Sequence, residues 1–118
     1  MSFNHVVAWI DHVQAHVIHF NAEAADHEVI KTVSTHPHLH NKSASKHYFD
    51  HVAHALSDAT EVLIVGPAQE KLELMKHLIT HHPAVAKCVM AVESSDHPTD
   101  GQLLKYARKY FLKADMLR

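Results

Sequence analysis

Residues 61–66, EVLIVG, constrain this chain more than any other segment. They run apolar without alternation and stop at a glycine, the pattern of a strand covered on both faces. Such a strand needs helices on either side of its sheet, and the sequence supplies them. Pro67 suits a first helical turn. Leu72, Met75, Leu78 and Ile79 then recur at helical spacing up to about His81, and Pro83 ends the run. Residues 86–92, AKCVMAV, read as a second covered strand. Thr99 with Gln102 three residues on has the capping-box spacing. Leu103, Leu104, Ala107, Tyr110, Phe111 and Ala114 make the apolar face of a last helix.

The first half is richer in strands. Residues 5–10 (HVVAWI) and 13–20 (VQAHVIHF) are β-branched and aromatic runs on either side of Asp11-His12, and they predict a hairpin. A polar stretch leads to a third strand at 27–34, HEVIKTVS, with imperfect alternation. Residues 35–46, THPHLHNKSASK, lack core periodicity and predict a loop, long for a compact domain without a functional reason. A helix follows at about 47–56, with Tyr48, Val52, Ala55 and Leu56 on one face and His47, His51 and His54 on another.

The order β-β-β-α-β-α-β-α predicts an α/β fold with helices on both faces of a five-stranded mixed sheet. Right-handed crossovers give the strand order 3-2-1-4-5, the ribonuclease H-like arrangement. At 118 residues, 1–118 reads as a single domain. No apolar run approaches the ~20 residues of a bilayer span, which argues against a membrane protein. The first residues carry no basic region or cleavage site of a signal peptide. Cys88 has no partner for an internal disulfide, and it lies in an apolar run without a cue for reactivity. The expected setting is the cytoplasm. Histidine is the compositional oddity: 15 of them against 11 Lys and Arg, with a formal charge of −2 when histidine is neutral. Because imidazole ordinarily titrates near pH 6.5, the net charge lies near zero at neutral pH and climbs as pH falls. Local distribution, not global charge, must therefore decide about nucleic acid.

Several segments carry a resemblance. EVLIVGPAQEKLEL at 61–74 resembles the strand–helix junction of the middle domain of archaeal and eukaryotic peptide-chain release factors and Pelota. LIVGPA (63–68), ESSDHPTDGQL (93–103) and ARKYF (107–111) resemble short stand-alone bacterial proteins described as translational machinery proteins. AWIDHVQAHVIHF (8–20) and THPHLH (35–40) resemble that family's first hairpin and the start of its loop. The resemblance covers nearly the whole chain. It implies a ribosome or tRNA partner, no cofactor, and a functional loop between the third strand and the first helix. In the release factors that loop carries Gly-Gly-Gln. Here residues 35–47 hold neither Gly nor Gln, and the chain's only glycines are Gly66 and Gly101. That departure counts against peptidyl-tRNA hydrolysis. Pelota lacks the tripeptide too and still works on ribosomes, so a non-catalytic binding role survives the loss better.

The loop offers His36, His38, His40, Lys42, Lys46 and His47, with no acidic residue from Thr35 through Phe49. Cationic and donor groups in such a run suit contact with an RNA backbone, which positions without reading sequence. The plain alternative is a solvated loop. His36, His38 and His40 alternate and would put three imidazoles on one side of an extended segment, a candidate metal set. The spacings of His47, His51 and His54 also allow a shared ion, although 15 histidines produce such spacings by chance. A histidine-rich metal-binding or pH-responsive protein is thus the rival reading. In the last helix Lys105, Arg108, Lys109 and Lys113 lie opposite the apolar face, either as a solvated surface or as a second RNA contact. A nuclease reading would use Asp11 at the end of the first strand with Asp50 or Asp58 from the helix, but the fourth strand ends in Gly66 rather than an acid. Asp11 reads more simply as a hairpin residue. Gly66-Pro67 at a strand-to-helix junction is a weak anion-site signal, explained as well by close packing.

Overall fold

The computed structural model describes residues 4–32 and 42–116. It contains β1 (His5–Ile10), β2 (Gln14–Phe20), β3 (Ala25–Lys31), α1 (Lys42–Leu56), β4 (Glu61–Gly66), α2 (Glu70–His81), α3 (Pro83–Ala86), β5 (Val89–Ser94) and α4 (Asp100–Met116). The five strands form one mixed sheet in the order β3-β2-β1-β4-β5. β1 pairs antiparallel with β2 and parallel with β4, and β5 is parallel to β4. This is the expected ribonuclease H-like sheet, with a one-turn helix, α3, added.

The sheet's two faces carry two cores. Val6, Ala8 and Ile10 of β1 and Val62 and Ile64 of β4 pack with Tyr48, Phe49, Val52 and Leu56 of α1 and Leu74 and Leu78 of α2. The alternate residues Val7, Trp9, Leu63 and Val65 pack with Ile18, Phe20 and the α4 residues Leu103, Ala107 and Phe111. Each of the larger side chains contributes roughly 1.5–3 kcal/mol by leaving water. Both hairpins close on a side-chain oxygen at the first turn position. Asp11 Oδ1 accepts the N–H groups of Val13 and Gln14 (2.8 Å each). Asn21 Oδ1 accepts those of Glu23 (2.9 Å) and Ala24 (2.7 Å). Asp11 is therefore the hairpin residue that the sequence pointed to.

Several boundaries and faces differ from the sequence expectation. The four-residue turn opened by Asn21 starts β3 at Ala25 rather than at His27, in register with Phe20. α1 begins at Lys42, so Lys42 and Lys46 belong to a helix and not to a loop. Pro67 precedes α2 instead of opening it: Gln69 is the N-cap, and its carbonyl accepts the N–H groups of Leu72 and Glu73. Pro83 does stop α2, but it then opens α3, which delays β5 to Val89. β5 is an edge strand with mixed exposure, not one covered on both faces. On α2 the sheet-facing residues are Lys71, Leu74 and Leu78, while Leu72 and Ile79 face water. Lys71 buries its aliphatic stem there and returns its ammonium to the carbonyl of Ala68.

The capping box is present as expected. Thr99 N–H donates to Gln102 Oε1 (2.9 Å), and Gln102 N–H donates to Thr99 Oγ1 (3.1 Å). Polar ties then join α1 and the β5–α4 loop to the sheet and its first hairpin. The Trp9 indole N–H donates to Asp96 O (2.7 Å), His19 Nε2 donates to Ala55 O (2.6 Å), and Tyr48 O–H donates to Asp11 O (2.9 Å). Burial, reinforced by Asp11 and Glu70, raises the Tyr48 phenol above its ordinary range and keeps it a donor.

Candidate functional site

Parallel strands in an α/β sheet present their carboxyl ends to ligands, because the loops that leave them diverge into helices. Here β1 ends at Ile10, β4 at Gly66 and β5 at Ser94, and all three run to the same edge. β2 begins and β3 ends there too, since Gln14 pairs with Lys31. Thr32 N–H donates to Val13 O (2.9 Å), and Tyr48 in the second turn of α1 holds Asp11 O. The described residues on either side of the β3–α1 connection, Thr32 and Tyr48, are thus tied to this edge.

Two adjoining hollows open at the edge. One, of about 350 Å³, is lined by Asp11, His12, Pro67, Ala68, Gln69, Glu70 and His97. The other, of about 220 Å³, is lined by Trp9, Gln14, His16, His97, Pro98, Asp100 and Leu103. His97 belongs to both. Its ring lies 4.8 Å from that of Trp9, and its Nε2 is 3.6 Å from Asp11 Oδ2. His16 Nδ1 donates to Asp100 Oδ1 (2.9 Å). The hollows therefore mix imidazoles with carboxylates, a poor lining for phosphate. Any phosphate contact at this edge falls to the rim, where α1 begins without an acidic residue in its first turn.

The sequence-derived candidates divide into separate groups. His36, His38 and His40, both as RNA contacts and as a metal set, lie outside the described residues. Lys42 opens α1, and Lys46 and His47 are exposed in its next turn. The α4 residues sit elsewhere, on the opposite face of the sheet. There Lys105 and Lys109 are exposed, while Arg108 reaches the far edge and donates to Asn21 O (3.1 Å) and Ala24 O (3.2 Å). Among the described residues, the α1 pair Lys46 and His47 and the α4 cations thus do not share a surface, and Arg108 has a structural duty. His47, His51 and His54 face water, and the Nε2 of His51 approaches Glu28 Oε1 at 3.8 Å.

The acids named for a nuclease do not meet. Asp50 is engaged between α1 and the end of α2, and Asp11 joins no group of three potential ligands within reach of one ion among the described residues. Sequence reading missed the group that does form. His77 Nε2 (2.6 Å) and His82 Nε2 (2.8 Å) both donate to Asp50 Oδ1. These bonds, from His82 first and then His77, pull the Asp50 carboxyl down to about 2. His81 and His82 before Pro83, with His77 one turn back, are visible in the sequence, but nothing there pairs them with Asp50.

No protein-family model matches the chain, and no curated protein matches it by sequence. Solved structures do match. The chain superposes on Archaeoglobus fulgidus Pelota with a TM-score of 0.65 at 15% identity, over 89% of this chain and 30% of that one. An archaeal translation termination factor, aRF1, gives 0.66 at 13% identity over 87% and 32%. Dom34 of S. cerevisiae, described as a translation termination-like factor in RNA quality control that interacts with Hbs1, gives 0.62 at 9% over 87% and 32%. The chain spans about a third of the length of these proteins. The resemblance to the release-factor middle domain holds at the level of fold.

Proposed function

We propose that this chain is a non-catalytic, translation-associated domain that contacts the ribosome or tRNA through residues 35–47. The observation that carries this reading is the position of that segment. The acid-free run of His36, His38, His40, Lys42, Lys46 and His47 spans the β3–α1 connection and the first turns of α1, and the described residues that flank it, Thr32 and Tyr48, are tied to the carboxyl edge of the sheet. The fold shared with Pelota, aRF1 and Dom34 supports a partner in translation. The exposed Lys46 and His47, together with the positive end of the α1 dipole, favour an anionic backbone at the rim. Lys105 and Lys109 on the opposite face form a second, weaker patch.

The test is tRNA affinity across a salt series, for the wild type and for a Lys42→Ala/Lys46→Ala variant. Each neutralised phosphate releases condensed counterion, so each lysine removed should flatten the salt slope by about one unit or less. Phosphate favours the imidazolium form, so affinity should rise as pH falls from about 7.5 toward 6, and level off once the free imidazoles are charged. Affinity that ignores salt and pH, or that the variant leaves unchanged, would remove this segment as the contact surface.

A further inference from the structure

The group at Asp50, His77 and His82 is built like a cation site, and we propose that it binds one Zn²⁺ per chain. The proposal stands apart from the RNA reading and uses none of the residues in 35–47. Asp50 lies midway along α1, His77 lies on α2, and His82 is the α2 C-cap, which donates its N–H to Leu78 O (2.8 Å). Ligand atoms from these separate places lie within 4.8 Å of one another. His77 is nearly enclosed, with 9% of its side chain exposed, and its ring is 5.5 Å from that of Phe49. Asp50 and His82 are open enough, at 32% and 26%, to admit an ion from solvent.

An ion pair alone explains this geometry incompletely. A carboxylate only accepts, so both imidazoles direct an Nε2–H at one and the same oxygen, with their rings 5.4 Å apart. One such bond would tie α1 to α2. Two nitrogens and one carboxylate oxygen, all within 4.8 Å of one another, form a donor set close enough to share a small cation. In a tetrahedral site with ligand bonds of about 2.0 Å, ligand atoms stand roughly 3.3 Å apart. The two N···O separations of 2.6 and 2.8 Å need open by roughly 0.5–0.7 Å, and the two nitrogens, within 4.8 Å of each other, take up the same spacing. On binding, each Nε2 offers its lone pair to the ion, and the ring proton moves to Nδ1. Two imidazoles and one carboxylate leave the fourth position to water.

The donor set selects the metal. Mg²⁺ and Ca²⁺ prefer oxygen shells, whereas two nitrogens with one oxygen suit Zn²⁺ and its transition-metal neighbours. The consequence is a clip between α1 and the α2–α3 corner, on the face of the sheet where α1 carries Lys46 and His47 toward the carboxyl edge.

The experiment uses the full chain stripped with chelator, then titrated with Zn²⁺ against a chromogenic competitor, with Co²⁺ absorption as a second readout. The wild type should take up one tight equivalent ahead of weak uptake by other histidines. It should also give the ligand-field spectrum of a four-coordinate Co²⁺ site and a higher thermal midpoint in Zn²⁺. Asp50→Asn and His82→Ala should each lose that equivalent, with affinity falling by about 100-fold or more. A His36→Ala/His38→Ala/His40→Ala variant should keep it. Circular dichroism shows which variants are folded, and His82, outside both apolar cores, gives a variant that spares them if Asp50→Asn does not fold. A wild type without a tight equivalent would overturn the proposal. So would a tight site that survives in folded His82→Ala or disappears in the triple variant.

Discussion

Replacing Gly66 with alanine would place a methyl carbon 2.3 Å from the carbonyl oxygen of Ile10. Ordinary contact begins at 3.4 Å, so the end of the β1–β4 pair would have to open by about an ångström. The obstacle is backbone, and it cannot rotate away as a side-chain tip would. β1 is held by β2 on one side and β4 on the other, so the displacement reaches the hairpin turn at Asp11. Overpacking of this kind costs about 1–3 kcal/mol. The smaller conformational entropy of unfolded alanine offsets roughly 0.4–1 kcal/mol of a full backbone clash. A net loss of about 1–1.5 kcal/mol corresponds to a midpoint drop of about 4–6 °C for a chain of this size. Gly101 is the internal control, because its nearest added contact is Thr99 Oγ1 at 4.0 Å in the first turn of α4. Gly101→Ala should be neutral or stabilising by up to about 1 kcal/mol. Thermal and urea unfolding followed by circular dichroism decide the matter. A Gly66→Ala midpoint within about 2 °C of wild type would refute the close approach of β1 and β4.

Thr99→Ala removes half of the capping box and should cost about 1 kcal/mol in urea unfolding, with no effect expected if α4 is capped by another group. Arg108→Ala leaves the carbonyls of Asn21 and Ala24 to water and should lower stability by about 1 kcal/mol; an unchanged denaturation midpoint would contradict the tie between α4 and the second hairpin. In metal-free protein, Asp50 is pulled from an ordinary 3.8 down to about 2, so its stabilisation is present above 3.8 and disappears as pH falls toward 2. Acid titration of stability should therefore be steeper for wild type than for Asp50→Asn in that window, and parallel curves would count against the histidine bonds. Lys105→Ala/Lys109→Ala should change tRNA affinity less than Lys42→Ala/Lys46→Ala, and the reverse order would move the contact to α4.

What the sequence makes legible is the centre of the sheet. EVLIVG and HVVAWI lie where both faces are covered, so hydrophobic pattern alone identifies them. The edges are harder, because β3 buries little beyond Ile30 and its start is set by the Asn21 turn rather than by its own pattern. KSASK at the start of α1 has no large apolar residue, so periodicity cannot show that the helix already extends through it. On α2, four large apolar residues suggest a stripe that includes Leu72 and Ile79. The face that meets the sheet is instead chosen by Leu74, Leu78 and the stem of Lys71. The cluster at Asp50 is hidden in the sequence for a similar reason. Local spacing favoured His47, His51 and His54, which face solvent, whereas His77 and His82 meet Asp50 across 27 and 32 residues. Only the packing of α1 on α2 brings them together.

The most direct test of a translation-associated role is co-sedimentation of the native chain with ribosomes at graded salt concentration. A ribosome-bound fraction present at low salt should fall steadily as salt rises, and should fall at lower salt for Lys42→Ala/Lys46→Ala. A chain that stays in the supernatant at low salt, or binds with no dependence on salt and those two lysines, would contradict it.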